Sequence, residues 1–135
     1  MVPVFFLLFF GIIDCARLIY TQNSLQFALR EAGRYATTGN HLPDPSNPGQ
    51  NLSRVDSIIQ VASQTAGRQL TGITIRSAQG GSGNAGGPGD TVTITLTYDL
   101  PLATPIIGRF FPNGIYHFTV STTFKNEPFP PSQTL

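Results

Sequence analysis

The sequence predicts an α+β fold: a long N-terminal helix, apolar at first and amphipathic later, then a second short helix and a three-stranded antiparallel sheet. Three observations predict it. The run MVPVFFLLFFGII passes through Asp14 and Arg17 into RLIYTQNSLQFALREAGRYA with no turn signal between them. Apolar residues return at helical spacing after Ser53, and from residue 73 onward the apolar period falls to two.

In the second half of the first helix, Leu18, Gln22, Leu25, Leu29, Ala32 and Ala36 recur at alternating spacings of four and three, forming one mostly apolar stripe. Arg17, Asn23, Arg30 and Arg34 lie off it, so this portion is expected to rest on a folded body. Ala28, Ala32 and Ala36 form a small-xxx-small row, read equally as a site of close backbone approach or as good helix formers. The helix should end near Thr38, because Gly39 and the proline-rich HLPDPSNPG follow. A second helix should start at Ser53, capped with the help of Asp56, bury Val55, Ile58, Ile59, Ala62 and Ala66 on one face, and stop near Gly67.

The strands follow by alternation. Ile73 and Ile75 alternate with Thr74 and Arg76; Val92, Ile94, Leu96 and Tyr98 alternate with threonines; Tyr116, Phe118 and Val120 alternate with His117, Thr119 and Ser121, ending near Phe124. The Gly-rich residues 80–89 are expected as one long hairpin loop, and the Pro-rich residues 101–114 as a second connection. The segments 39–50, 80–90 and 101–114 are read as long, exposed contact loops.

Composition narrows the function. Charged residues make up 11% of the chain and the net charge is +1, which argues against a nucleic-acid surface. Cys15 is the single cysteine, so neither an internal disulfide nor a cysteine-rich metal site can form. Residues 1–13 would span about 20 Å as helix, against the roughly 20 residues needed to cross the hydrocarbon core. No basic leader precedes the run and no small-residue cleavage site follows it, so it does not read as a signal peptide. Either Leu18, Ile19 and Tyr20 extend the span past a snorkelling Arg17, or the helix continues upstream of Met1, which is the preferred expectation.

Catalytic and ligand-binding motifs are scarce. Residues 81–86 (GSGNAG) match GxGxxG, but Gly87, Pro88, Gly89 and a strand follow where a phosphate-binding helix would have to open. A Ca²⁺-binding reading of the same segment has only Asp90 as a nearby carboxylate. His41 and His117 are far apart in sequence and read as solvated surface residues. Asn51-Leu52-Ser53 is formally a glycosylation acceptor, although Ser53 already has a capping role. Asp14 and Arg17, three apart on one helix face, can pair and so be tolerated at a membrane or filament boundary, or else contact neighbouring subunits. No cofactor and no metal are expected, and the chain does not read as an enzyme.

Pro3 with the apolar run, the step Gly11-Ile-Ile-Asp14-Cys-Ala-Arg17-Leu-Ile-Tyr20, and the step Ala28-Leu-Arg30-Glu31-Ala32-Gly33-Arg34-Tyr35-Ala36 together resemble the TadE-like family, the pseudopilins of the tight-adherence pilus system. The segment around Lys125 and Glu127 resembles that family's closing strand. The chain departs from the family in carrying Asp14 where a glutamate is usual and Ala32-Gly33 where Gly-Ala is frequent. The family's peptidase site and the glutamate after it, upstream of Pro3, are not in the sequence either.

The resemblance implies a pilin-like architecture divided into a membrane and assembly helix at residues 1–38, a Pro-rich loop at 39–52 and an extracytoplasmic α+β domain at 53–135. It implies a minor pilin or pseudopilin that assembles or primes a type IV-like filament through its N-terminal helix. The surface for that role would comprise Pro3, Phe5, Phe6, Leu8, Phe9, Gly11, Asp14, Arg17, Tyr20, Ala28, Ala32 and Ala36. Expected partners are other pilins and pseudopilins, their inner-membrane assembly platform, and membrane lipid before assembly, with no nucleic acid. The expected location is the cytoplasmic membrane, single-pass, with the C-terminal domain outside and a possible pilus or surface position. A single-span envelope protein with an extracytoplasmic ligand- or polysaccharide-binding domain is the alternative; a small envelope hydrolase would need a cluster of acid, base and nucleophile that the sequence does not supply.

Overall fold

The computed structural model of the protein describes residues 1–130, with Ile106 described by its backbone only. Residues 131–135 of the expected 53–135 domain lie outside the described residues. Helix α1 (Val2–Thr37) is one element, as the unbroken pattern requires. Pro3 stands in its first turn, where a missing N–H breaks no intrahelical bond. The helix gives way at Thr38 and Gly39, and Gly39 takes the left-handed φ of +70° that ends its course.

Helix α2 (Arg54–Ala66) begins and ends where its sequence says it should. The Ser53 hydroxyl accepts the Asp56 N–H at 3.1 Å and donates to the Asp56 carboxylate at 2.7 Å. Gly67 closes the other end with φ +67°, its N–H donating to the Gln64 carbonyl at 3.1 Å. Ile58 and Ala62 are buried, with Val55, Ile59 and Ala66 packed beside them.

The sheet corrects the expected strand count. Among the described residues it has four strands in the order β2-β1-β3-β4, all antiparallel: β1 (Ile73–Ser77), β2 (Gly81–Ser82), β3 (Thr91–Pro101) and β4 (Ile115–Lys125). The additional strand, β2, is only two residues long, too short to show any alternation, and it returns along Arg76 and Ser77 inside what was expected to be a plain loop. The turn is held by Ser77, whose hydroxyl accepts the Gly80 N–H at 2.8 Å and donates to the Asp90 carboxylate.

Register sorts the faces. Pairing of Ile75 with Ile94, Ile73 with Leu96, and Leu96 with Val120 gathers the aliphatic side chains on one side. On the other side Thr93 and Thr123 share a hydroxyl hydrogen bond at 3.0 Å across the β3–β4 pair. The core lies between the apolar face and the two helices: Leu25, Leu29, Ala32 and Ala36 of α1, Ile58 and Ala62 of α2, and Val92, Ile94, Leu96 and Val120 of the sheet. Each fully buried Leu or Ile contributes about 1.5–3 kcal/mol.

Between β3 and β4 the expected plain connection contains a short helix, α3 (Pro105–Gly108), and a 3₁₀ turn (Pro112–Gly114). The three expected contact loops keep much of their length exposed, although Ala85 and Asp90 in 80–90 and Thr104 in 101–114 are buried where those two segments fold back onto the body.

Candidate membrane and assembly surface

The first half of α1 is an apolar rod without cover. Phe5, Phe6, Leu8 and Phe9 are exposed, as are Pro3 and Ile12. Along the helix the phenyl rings stack on one another, Phe5 with Phe9 and Phe6 with Phe10, each pair 6.3 Å between centroids. By length and composition α1 is long and apolar enough to cross a membrane. A contiguous apolar surface of this kind marks a contact with lipid or protein.

The rod meets the body at Asp14. This carboxylate is only 4% exposed, and it accepts two backbone N–H groups, from Ala103 at 3.0 Å and from Thr104 at 2.8 Å. Those two residues immediately precede α3, so the carboxylate ties down the chain just before that short helix opens. Arg17 stands 3.7 Å from the same carboxylate with its own side chain half-exposed. One turn earlier, a Cβ added at Gly11 would lie 3.4 Å from the Ile107 side chain, so the loop rides close against the helix there. Asp14 and Arg17 do pair, as their spacing allows, yet the stronger partners of Asp14 lie 89 and 90 residues away in sequence. Tyr20, beyond this joint, is exposed.

Further along, the alanine row is taken up within the chain. Ala28, Ala32 and Ala36 are fully buried in its own core, leaving none of them for a neighbouring subunit. Gly33 extends that row, with the Phe124 ring of β4 where a Cβ would come within 3.1 Å. Arg30 is exposed; Glu31 and Arg34 form an ion pair at 3.3 Å near the surface, and Tyr35 is half-buried. Glu127 keeps its side chain outside while its N–H donates to the Thr37 carbonyl at 3.0 Å.

Three residues that secure the C-terminal end of α1 carry no sequence signal. Arg54 is 1% exposed and donates to the carbonyls of Ala36 and Gly86, the first at 2.8 Å, with its guanidinium 4.6 Å from the Phe129 ring centre. It thereby neutralises the partial negative charge at the C-terminal end of α1. Burial pushes the Arg54 pKa below its usual value. Asn126 donates to the Ala85 and Gly87 carbonyls at 3.0 and 2.9 Å, and Phe129 fills the space above Gly39. The sequence singles out nothing about Arg54; only the fold shows that the end of α1 and the turn at Gly86 converge on it.

The remaining candidates separate. The GxGxxG-like segment leads into a turn and β3, not a helix. His117 is exposed and hydrogen-bonded to Asp99 across the β3–β4 pair. His41 departs from its expected solvated state: it is half-buried, with Nδ1 2.8 Å from the Leu52 carbonyl, fastening the proline loop. Among the described residues no three His, Cys, Asp or Glu side chains gather where a metal could be held. Cys15 is exposed on the apolar half of α1.

Residues 1–34 match the family model described as TadE-like protein. The matched segment runs from Met1 through Gly11, Asp14 and Arg17 to Arg34, which is the apolar rod, the Asp14 joint and most of the buried stripe. Tyr35, Ala36 and Glu127 lie beyond it. No curated protein and no solved structure matches the chain.

Proposed function

We propose that the protein is a minor pilin or pseudopilin of a tight-adherence pilus, which enters or primes the filament through α1 and has no enzymatic activity of its own. One observation carries this reading: α1, nearly all of which the TadE-like match covers, buries its second half in the protein's own core and leaves its first half as an uncovered apolar rod. Such a rod is stable in lipid, and equally among similar rods at the centre of a filament, where van der Waals packing replaces contact with acyl chains. Before assembly the helix lies in the cytoplasmic membrane with the α+β body on the extracytoplasmic side. Its partners are other pilins and the assembly platform in the membrane. The Asp14 joint supports the reading too, since it fixes how the body stands on the rod.

The test is fractionation of cells that make both this protein and the major pilin. Pili sheared from the surface should carry the protein in a fixed ratio to the major subunit. Recovery in the membrane fraction alone, with none in sheared pili and normal pilus yield after deletion, would refute the role and leave a single-span envelope protein.

A further inference from the structure

Residues 102–114 form a closed loop with its own hydrogen bonds. Leu102 N–H donates to the Gly114 carbonyl at 2.9 Å across its base, Gly108 N–H to Thr104 at 2.8 Å, and Gly114 N–H to Phe111 at 3.1 Å. With its backbone satisfied internally, the loop can present apolar side chains outward at little cost. In the stretch PIIGRFFPNG the only charge is Arg109. Phe111 packs edge-on against Tyr116 at 5.5 Å, whereas Phe110 stands 81% exposed. An ordered loop that holds a phenyl ring out in water marks a contact surface.

Its position identifies the contact. Asp14 holds the loop by Ala103 and Thr104, and Ile107 lies against Gly11. Gly11 and Asp14 are where the uncovered apolar rod ends and the body begins, about 14–18 Å along the helix from Val2 at 1.5 Å per residue. The first charged side chains of the sequence, Asp14 and Arg17, fall at this level, where the proposed membrane helix would begin to leave the hydrocarbon core. Arg17, one turn further on and half-exposed, and Arg109, exposed beside Phe110, place two guanidinium groups there, and no carboxylate occurs in residues 102–114. An aromatic ring flanked by arginines is the composition favoured where acyl chains meet anionic headgroups.

We propose that residues 102–114 are an interfacial membrane anchor, with Phe110 entering the acyl boundary beside α1 and Arg109 meeting lipid phosphates. The protein then touches the bilayer at two places and not one. The anchor rests on α1 being the membrane helix proposed above.

The chain contains no tryptophan, so Phe110→Trp and Phe5→Trp each place a single reporter in the full-length protein. Both variants are reconstituted into phosphatidylcholine–phosphatidylglycerol vesicles, with and without bromine at a shallow acyl position. The anchor requires blue-shifted emission from Trp at position 110 and loss of its intensity in the brominated bilayers, alongside quenching of the reporter at position 5. Quenching at position 5 with none at 110 overturns the anchor while leaving the membrane helix intact. Absence of quenching at both positions overturns both. A blue shift at 110 that follows protein-to-lipid ratio and ignores bromine assigns the ring to a second copy of the chain, which also overturns the anchor.

Discussion

Replacing Asp14 with Ala should release the loop from the helix without unfolding the sheet. The carboxylate accepts two backbone N–H groups, and hydrogen bonds to a charged acceptor contribute about 1.5–3 kcal/mol each. Ala103 is exposed, so its N–H can turn to water and contributes little to the loss. Thr104 is 2% exposed, so its N–H is stranded. The net cost is therefore about 2 kcal/mol, or about 30-fold in the local opening equilibrium. Amide hydrogen exchange on the full chain in lipid nanodiscs reads this directly. Ala103, Thr104 and Gly108 should exchange about 30-fold faster, while Ile94 and Leu96 in the centre of the sheet stay unchanged. Asp14→Asn keeps one acceptor and turns an amide donor toward the other N–H, so it should lose about 1 kcal/mol, or roughly five-fold. Unchanged exchange at 103 and 104, or an equal rise in the sheet, would show that the carboxylate is not what holds the loop.

Other perturbations test the packing at the far end of α1 and the proline loop that follows it. Arg54→Met keeps the volume but strands the carbonyls of Ala36 and Gly86, and should lower stability by about 3 kcal/mol in a urea titration in detergent; a loss under 1 kcal/mol would mean that the guanidinium does not satisfy them. Gly39→Ala must hold a left-handed φ of +70° and displace the Phe129 ring 2.7 Å from its Cβ, a cost of about 2 kcal/mol, whereas Gly33→Ala needs the Phe124 ring to yield by a few tenths of an ångström, at about 1 kcal/mol. Thermal melts that rank these two in the opposite order would contradict the packing. Asp44 is held below its usual pKa by hydrogen bonds from the Asn47 side chain and the Ser46 N–H. Its contribution to the proline loop is therefore complete above the ordinary aspartate value of about 4 and is lost as pH falls through the lower folded value. The Ser46 amide shift should titrate only in that acid range, and Asp44→Asn should abolish the step.

Periodicity made most of the architecture legible, because α1, α2 and the three longer strands each repeat a pattern often enough to reveal it. Ser53 and Gly67 bounded α2 because capping is decided by neighbours within three residues. What escaped was set by contacts across the chain. β2 has two residues and no period, and the turn that returns it along β1 is closed by the Gly80 N–H donating to the Ser77 hydroxyl. Asp14 was visible as an acid on a greasy helix, but its partners at 103 and 104 carry no side-chain signal, since they bind through their backbones. Arg54 and Phe129 were hidden for a related reason: they are buried only because the end of α1, the turn at Gly86 and the C-terminal segment converge on them.

The continuity of α1 has a mechanical consequence. A helix of 36 residues is about 54 Å long at 1.5 Å per residue. Its outer half is fused into the body, and the Asp14 clamp removes play at the middle, so the two ends move as one lever. A tilt of about 20°, ordinary for a helix in a bilayer, would swing the far end sideways by about 18 Å. With α1 in a bilayer as proposed, the bilayer's thickness or the angle a neighbouring helix imposes would be magnified into a displacement of the sheet large enough to change which surface it offers.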